Sequence, residues 1–387
     1  MNPYADFNYL GLLLFYAVVP TLVLGLFGKA NWRWTLILCG VAATVHFSEF
    51  VPLPGGFALR EVWIALGYAV AELLVALAFL RWRSRPTFYA ALILTILPLV
   101  AAKFIPLFAP KTEFGFVGIS YVTFRALDVI FSIHDGVLKT LSPRTWLGFV
   151  FFFPTISSGP IDRYRRFEKD WLKLRTRAEF LDDLDFAVAR IFRGLLYKFI
   201  VAALISTYAI VPLNKHAGPL ATWGYMYAYT FYLFFDFAGY SAFAIGVSRL
   251  FGIRSPENFD RPFLARNIRE FWTRWHISLS FWFRDHIHMR FLIAATKGQW
   301  FANKNVANYT GLFLTFGLMG VWHGPTWHYL SYGLYHATLL CGYDVFARWN
   351  KTAKRWGAGR AGTILETLLT FHAIAFGMLL FSGRIVP

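Results

Sequence analysis

Charged residues are scarce in this chain, and the acidic ones are fewer than the basic ones. Only 15% of the 387 residues are charged and 57% are hydrophobic, whereas soluble domains carry about 25% charged residues. This balance excludes a soluble domain, a disordered chain, a collagen and a coiled coil. The net charge is +17, from 38 basic and 21 acidic residues. Because aromatic residues reach 20%, this excess favours a membrane protein with basic cytoplasmic loops over a nucleic-acid binder.

The motifs of several enzyme classes are also missing. The sequence contains no P-loop, no GxSxG nucleophile elbow and no acidic pair typical of a glycosidase. Cys39 and Cys341 lie in apolar runs without CxxC spacing, which predicts buried thiols rather than a disulfide framework or a zinc site. His286 and His288 have an HxH spacing, but only Asp285 could be a third ligand nearby, so no metal is expected.

Long hydrophobic runs, in contrast, are abundant. A bilayer crossing takes about 20 mostly apolar residues, and candidate stretches lie at 8–27, 34–51, 62–80, 87–108, 114–134, 145–161, 187–212, 223–248, 277–295, 307–322, 327–346 and 363–383. Some of them are short or polar, so we expect about 11 crossings, with a few helices re-entrant or interfacial. The residues before the first run carry no Lys or Arg, which favours a retained helix over a signal peptide.

Basic residues orient these helices through the positive-inside rule. The first loop holds Lys29 and Arg33 and the third holds Arg81, Arg83 and Arg85, whereas the loop at 52–61 carries only Arg60. We therefore expect a cell-membrane protein with its N-terminus outside and those two basic loops in the cytoplasm. A further basic stretch, predicted to be cytoplasmic, comprises Arg348, Lys351, Lys354, Arg355 and Arg360.

The longest polar stretch, 162–185, contains seven basic residues between Arg163 and Arg177. One interpretation is an ordinary cytoplasmic loop that lies near anionic lipid. The other is a docking surface for an acidic cytosolic partner. The sequence alone leaves both open.

Ionisable residues inside apolar runs are costly, so each has a structural or functional reason. Arg125 and Asp128 lie three residues apart on one predicted helix and are expected to neutralise each other. Asp236 lies among aromatic residues and is expected to bind a nearby arginine or backbone amides. Helical spacing of charges in 266–274 predicts a salt-bridged helix that lines a wet crevice; these residues are Arg266, Arg269, Glu270 and Arg274.

Histidines supply the candidate chemistry. His323 precedes the pair Gly324–Pro325 within 39 residues, 305–343, that contain no charge. A Gly-Pro pair ends a helix, and exposed backbone at membrane depth is tolerated only where it lines a cavity. His276 follows Trp275 in the second polar tract. A buried histidine that takes a proton from a hydroxyl is suited to acyl transfer, whereas His328 and His336 are interpreted as structural.

Several segments together resemble the membrane-bound O-acyltransferase family. They are GISYVTFRALD, SSGPIDRYRRF, FFDFAGYS, NFDRPFLARNIREFWTRWHISLSFWFRD and GVWHGPTWHYLSYGLYH, which lie between Gly118 and His336. Within the family, DGVLK and SSGPIDR are most similar to the branch that acts in teichoic acid D-alanylation. The alginate O-acetylase branch usually has Pro-Leu-Gly-Gly after its Phe-Arg-Asp, where this chain has HIHMRFLI.

The resemblance implies an all-α helical ring around a central tunnel, formed by one polytopic domain over 1–387. Its catalytic core would be about 118–336, after N-terminal helices at 8–108 and before a C-terminal helix at 363–383. His323 would be the catalytic base, and His276 would orient the acyl carbonyl or stabilise the oxyanion. The tunnel would be shaped by Trp275, Ser278, Trp322 and Arg274.

The resemblance also implies the reactants. The donor would be a D-alanyl thioester on the phosphopantetheine of a small acidic carrier protein, so the chain itself would bind no cofactor. This carrier would dock at the cytosolic face on the basic stretch, in particular on Arg163, Arg165, Arg166 and Lys169. Further partners would be acceptor or helper membrane proteins of the same pathway and membrane lipid, but not nucleic acid.

Two other functions stay open at this point. One is an acyltransferase of the same fold that uses acyl-CoA to acylate an exported polysaccharide or a lipid. The other is a transporter with a histidine-lined path, although transporters often contain internal repeats and none is evident here.

Overall fold

The computed structural model describes residues 11, 14–29, 31–47, 60–110, 115–353 and 359–386. A π-helical turn, Leu14–Val18, leads into the first helix. The helices before residue 200 are α1 (Val19–Leu26), α2 (Trp32–Phe47), α3 (Arg60–Arg81), α4 (Arg85–Phe108), α5 (Ile119–His134), α6 (Pro143–Val150), α7 (Tyr164–Trp171) and α8 (Arg177–Asn214, with two π-helical segments). Those that follow are α9 (Pro219–Leu250), α10 (Ile268–Trp272), α11 (Ile277–Phe283), α12 (Met289–Lys297), α13 (Lys304–His323), α14 (Trp327–Ala353) and α15 (Gly359–Phe381).

The predicted all-α, multi-pass class is confirmed for the part of the chain that is described. The sole pairing of extended backbone there is an isolated bridge between Phe259 and Trp275. Five of the described helices are long and apolar enough to cross a membrane: α3, α4, α8, α9 and α15. The expected count of about 11 crossings is therefore not confirmed, because the other described helices are shorter or more polar. Of the predicted first span at 8–27, residues 8–10, 12 and 13 lie outside the described ranges, and the described part contains the π-helical turn and α1.

The predicted span at 145–161 is wrong. Helix α6 ends at Val150, and only a short 3-10 turn, Phe153–Thr155, follows it. The buried Arg125 explains the break, because its guanidinium donates to the carbonyl oxygens of Val150 (3.0 Å) and Thr155 (2.6 Å). These carbonyls are therefore satisfied by a side chain instead of by the next turn of a helix.

The polar stretch 162–185 is not a plain loop, because α7 and the start of α8 occupy most of it. Tyr164, Phe167 and Trp171 fall on one face of α7 and are buried, which is the pattern of an amphipathic helix. The rings of Phe167 and Trp171 stack with their centroids 5.3 Å apart. The polar composition therefore belongs to the opposite face of a packed helix.

The chain divides into two compact units. Unit 1 comprises 1–194 and 240–256, and unit 2 comprises 195–239 and 257–387. A single domain over 1–387 stays a prediction. Unit 1 buries large aromatic side chains such as Trp146 and Phe149, and unit 2 contains a cluster built on Tyr225, Met226, Ala375 and Leu379. Both cysteines are free thiols; Cys39 is buried, as predicted, whereas Cys341 is only half-buried.

The membrane-embedded charges have partners that sequence spacing did not indicate. Arg125 donates to backbone carbonyls, while Asp128 accepts from the guanidinium of Arg163 at 2.9 Å. Asp236 pairs with Lys198 on α8 rather than with an arginine. Each partner lies more than 20 positions away along the chain, so tertiary packing, not helical spacing, decides which charges meet.

Candidate active site

A short antiparallel contact in unit 2 positions His276. The amide of Ile277 donates to the carbonyl oxygen of Asn258 at 3.0 Å, and the amide of Asp260 donates to that of Arg274 at 3.0 Å. Between these two bonds the chain turns sharply and begins α11. His276 occupies the N-cap of α11 with φ 43°, in the left-handed region. A side chain other than glycine is strained there, and such strain clusters at functional sites.

Asn258 also anchors the first turn of α11 through its side chain. Its Oδ1 atom accepts a hydrogen bond of 2.6 Å from the hydroxyl of Ser278, and both residues are buried. Backbone bonds and this side-chain bond join 258–260 to 274–278, so residues of these two segments hold the backbone at His276 in place. Ser278 thus serves as an anchor of the turn.

His323 lies where the sequence predicts it, at the last residue of α13, with Gly324 as the C-cap. Helices α13 and α14 approach backbone to backbone on both sides of this turn. A Cβ atom on Gly320 would collide with the carbonyl oxygen of Tyr329, and one on Gly333 with that of Phe316. Two glycines therefore permit the tight hairpin that presents His323.

Both histidines line one cavity of about 60 Å³, although 47 positions separate them in the sequence. The wall is aromatic and aliphatic apart from the histidines themselves. The ring of Phe237 meets His276 edge-on at 4.7 Å, and that of Phe381 meets His323 edge-on at 4.9 Å. The complete lining comprises Leu233, Phe237, Trp272, Trp275, His276, Leu279, Met319, His323, Tyr332, Met378 and Phe381.

The two histidines differ in burial. His323 is half-buried, whereas His276 is 5% exposed. His276 lies on the connection between α10 and α11, outside the five apolar spans. Its pKa is lowered to about 3, chiefly by burial and in smaller part by the nearby His323. The lowered pKa means that His276 carries a neutral imidazole, next to the second histidine.

Two buried polar atoms at this cavity have no protein partner among the described residues. They are Nδ1 of His276 and Nε1 of Trp272, both on side chains that line the cavity. A buried polar group without a hydrogen bond costs about 1–3 kcal/mol, and such groups in a native structure require an explanation. Both side chains contribute to the cavity wall, so a ligand in the cavity would lie next to them.

The other predicted tunnel residues are distributed differently. Trp275 lines the cavity, but Trp322, Ser278 and Arg274 do not belong to its lining. Trp322 packs against His323 with ring centroids 4.6 Å apart. Arg274 forms an ion pair of 2.6 Å with Glu270, which lies in α10. Their roles in a tunnel stay predictions.

The predicted salt-bridged helix at 266–274 is wrong in its extent, because α10 covers only Ile268–Trp272. Only the Glu270–Arg274 pair is local. Arg266 instead binds Glu366 on α15 at 2.9 Å, and Arg269 binds Asp344 on α14 at 2.9 Å. These basic residues therefore connect the segment to two long helices of unit 2.

The predicted docking residues lie on and just before α7, in unit 1. Arg165 and Lys169 are exposed. Arg163 and Arg166 are half-buried and paired: Arg163 binds Asp128, and Arg166 binds both Asp162 and Asp170. Two of the four basic side chains are therefore committed to the packing of unit 1.

Sequence reasoning missed Asn258, Tyr332 and Phe381. Asn258 opens the motif NFDRPF, whose polar first residue was the available signal. Tyr332 and Phe381 occur in apolar helical runs that carry no local signal of a cavity. Within the described ranges, no group of three or more His, Cys, Asp or Glu residues is placed to hold a metal ion.

Comparisons with known proteins show which family this chain resembles over most of its length. The profile of the membrane-bound O-acyltransferase family matches residues 85–383. A teichoic acid D-alanyltransferase of Bacillus subtilis is 42% identical over 99% of this chain and 98% of its own length. A teichoic acid D-alanyltransferase of Streptococcus thermophilus is 38% identical over 99% of this chain and 95% of its own. A probable alginate O-acetylase of Pseudomonas syringae is 33% identical over 58% of this chain and 42% of its own.

Proposed function

The chain belongs to the membrane-bound O-acyltransferase family, and from this premise we propose that it transfers D-alanine in teichoic acid D-alanylation. It is an acyltransferase and a multi-pass membrane protein. The proposed donor is a D-alanyl thioester on the phosphopantetheine of a cytosolic carrier protein. The proposed acceptor is a hydroxyl reached across the cell membrane, with the N-terminus of the chain outside. The relatives named as D-alanyltransferases over nearly their full length support this choice of acyl group.

The single observation that carries the chemistry is the pair of histidines on one largely apolar cavity. In the proposed reaction His323 accepts the proton of the acceptor hydroxyl. At the same time the oxygen of that hydroxyl attacks the thioester carbonyl. The C–S bond then breaks, and the departing thiolate takes the proton back from His323. The products are an ester and a free pantetheine thiol, so atoms and charges balance without a cofactor in the chain.

His276 is proposed to stabilise the negative charge that develops on the carbonyl oxygen. A neutral imidazole carries one N–H donor, and a donor already oriented in an apolar cavity stabilises an oxyanion more than one in water does. The backbone pairing with 258–260 supports this role, because it holds the turn that carries His276 in place. Trp275 is proposed to form part of the wall along the pantetheine arm.

The first test is transfer of radiolabelled D-alanine from a loaded carrier protein to membranes that contain this chain. General base catalysis contributes about 10²–10⁴-fold, so His323→Ala is expected to lower the rate about 1,000-fold while the protein still inserts. His216→Ala is the matched control, since His216 is an exposed histidine of the same unit. An active His323→Ala variant would refute the assignment of the base. Transfer from acyl-CoA but not from the carrier would keep the family and replace the donor.

The carrier docking surface is proposed to consist chiefly of Arg165 and Lys169, which are exposed on α7. Reversal of both charges, Arg165→Glu with Lys169→Glu, is expected to raise the KM for the carrier about tenfold and to leave kcat unchanged, because exposed charges act mainly on encounter. The effect should shrink at high salt. Lys215→Glu, an exposed lysine of unit 2, is the control. An unchanged KM would place the carrier elsewhere.

A further inference from the structure

A second and much larger concave site lies on unit 2. It is an open groove of about 970 Å³ between α14, α15 and the residues that precede α10. Sites for small ligands span about 300–1,000 Å³, so this volume is sufficient for a sizeable molecule. None of the residues that line the groove lines the histidine cavity, and the transfer reaction proposed above does not use it.

The groove has two chemically different ends. The hydroxyl of Tyr335 donates to the carbonyl oxygen of Ala373 at 2.9 Å, so the part of α14 near Thr338 lies next to the part of α15 near Ala373. Lys351 and Glu366 lie at the opposite end of the lining. The distance along α14 from Thr338 to Lys351 is about 20 Å at 1.5 Å per residue, which exceeds half of a hydrocarbon core about 30 Å thick.

The walls between these ends are apolar and accessible from outside. Leu339, Phe346 and Leu369 contribute side chains to the lining, and Leu369 is 53% exposed. Helix α15 is one of the five spans apolar enough to cross a membrane. A groove along a helix of this kind is within reach of the acyl chains of a surrounding bilayer, and its apolar walls match the chemistry of a lipid chain.

The charges at the polar end of the groove indicate which lipid headgroup would fit there. The guanidinium of Arg266 is bound by Glu366 through two bonds, of 3.0 and 2.9 Å, so this pair is neutral overall. Lys351 is exposed at the rim and adds a positive charge. The sequence continues the positive stretch beyond it with Lys354, Arg355 and Arg360. Clusters of basic residues next to a membrane helix attract anionic headgroups.

We propose that the groove binds one anionic phospholipid of the surrounding bilayer, with an acyl chain along Leu339, Phe346 and Leu369 and its phosphate at Lys351. The lipid stabilises the spacing of α14 and α15. Tyr332 on α14 and Phe381 on α15 reach the histidine cavity, so the same two helices form a wall of both sites. This inference does not depend on the identity of the transferred acyl group.

Gly342 provides a way to fill the groove without a change in the packing. It lines the groove, and a Cβ atom built on it meets nothing within 4 Å. In Gly342→Leu the added side chain therefore occupies the space of the lipid. Gly317→Leu on α13 is the matched control, because a Cβ atom there also meets nothing within 4 Å and Gly317 does not line the groove. Thr338→Phe, at the far end, is a second filling variant should Gly342→Leu fail to fold.

The experiment purifies the full chain from membranes of phosphatidylglycerol and phosphatidylethanolamine and quantifies the lipid that stays bound by mass spectrometry. The wild type and Gly317→Leu are expected to retain about one phosphatidylglycerol per chain, and Gly342→Leu at least fivefold less. Lys351→Gln should keep the bound lipid but lose the preference for phosphatidylglycerol. Equal retention in the filled variants would overturn the site, and an unchanged preference in Lys351→Gln would overturn the headgroup contact. Displacement of the lipid by inorganic phosphate would assign the site to a free anion.

Discussion

Two regions differ in whether their buried polar atoms have hydrogen-bond partners. One is the surroundings of Arg125 in unit 1, and the other is the histidine cavity in unit 2. Arg125 is 1% exposed and donates to three carbonyl oxygens and to the hydroxyl of Thr155. In the cavity, Nδ1 of His276 and Nε1 of Trp272 are buried without a protein partner in the described structure. The first arrangement stabilises a fold, since each buried donor has its acceptor.

The second arrangement costs stability, and the proposed transfer reaction gives a reason for that cost. These polar atoms are held in place by the fold but make no hydrogen bond within the described structure. The left-handed backbone conformation of His276 adds strain. Proteins accept such local conflicts at sites where a substrate completes the missing interactions. We therefore expect the residues around Arg125 to maintain the fold and the cavity residues to act in the proposed transfer, and substitutions can test this difference.

The largest effect on stability is expected from Arg125→Met. The change leaves four buried acceptors without their donor, and each such loss costs about 1–3 kcal/mol. We expect unfolding in detergent to become easier by about 4 kcal/mol or more, measured by denaturant titration. Arg81→Met, at an exposed arginine of unit 1, should stay near the wild type. Equal stability of the two variants would contradict the structural role of Arg125.

His276→Ala should have the opposite effect: a large loss of transfer rate with little loss of stability. Loss of an oxyanion donor lowers rates about 100-fold or more, which corresponds to about 2.7 kcal/mol in the barrier. Because Nδ1 of His276 has no protein partner in the described residues, the melting temperature should change little. Transfer rate and thermal unfolding of one preparation measure both quantities, with His216→Ala as the reference. A variant that loses activity only because it unfolds would remove the distinction between the two regions.

A smaller effect is expected at the glycine that lets α13 and α14 meet. In Gly320→Ala the new methyl group collides with the backbone of Tyr329, and overpacking of this kind costs about 1–3 kcal/mol. Gly317→Ala, one turn earlier on the same helix, meets nothing within 4 Å and should be neutral or slightly stabilising. Thermal unfolding of the pair measures the difference. If both variants behave alike, the hairpin does not require the close approach.

Much of the architecture could be predicted from local pattern. Apolar runs longer than about 20 residues predict membrane helices, and α3, α4, α9 and α15 appear close to the expected positions. The Gly324–Pro325 pair predicts that a helix ends at His323, and it does. Each of these features depends on residues within one or two helical turns, which is the range over which a sequence pattern has physical meaning.

The family could also be predicted, because its motifs are continuous segments and the family profile matches residues 85–383. The roles of His323 and His276 in transfer are predictions that only activity measurements can decide. The basic stretch at 163–177 shows where composition is insufficient. Charge counts alone cannot distinguish Arg165, which is exposed, from Arg166, which is held by Asp162 and Asp170.

The sequence by itself determined a basic, multi-pass, all-α membrane protein with a histidine at a helix end, because hydropathy and helix termination are local properties. Tertiary structure decided that α6 stops at Val150, that Asp128 pairs with Arg163, and that Asn258 anchors the turn at His276. It also brought His276 and His323 to one cavity. These outcomes depend on contacts between residues 20 to 47 positions apart, and no local pattern encodes which of many distant partners will pack together.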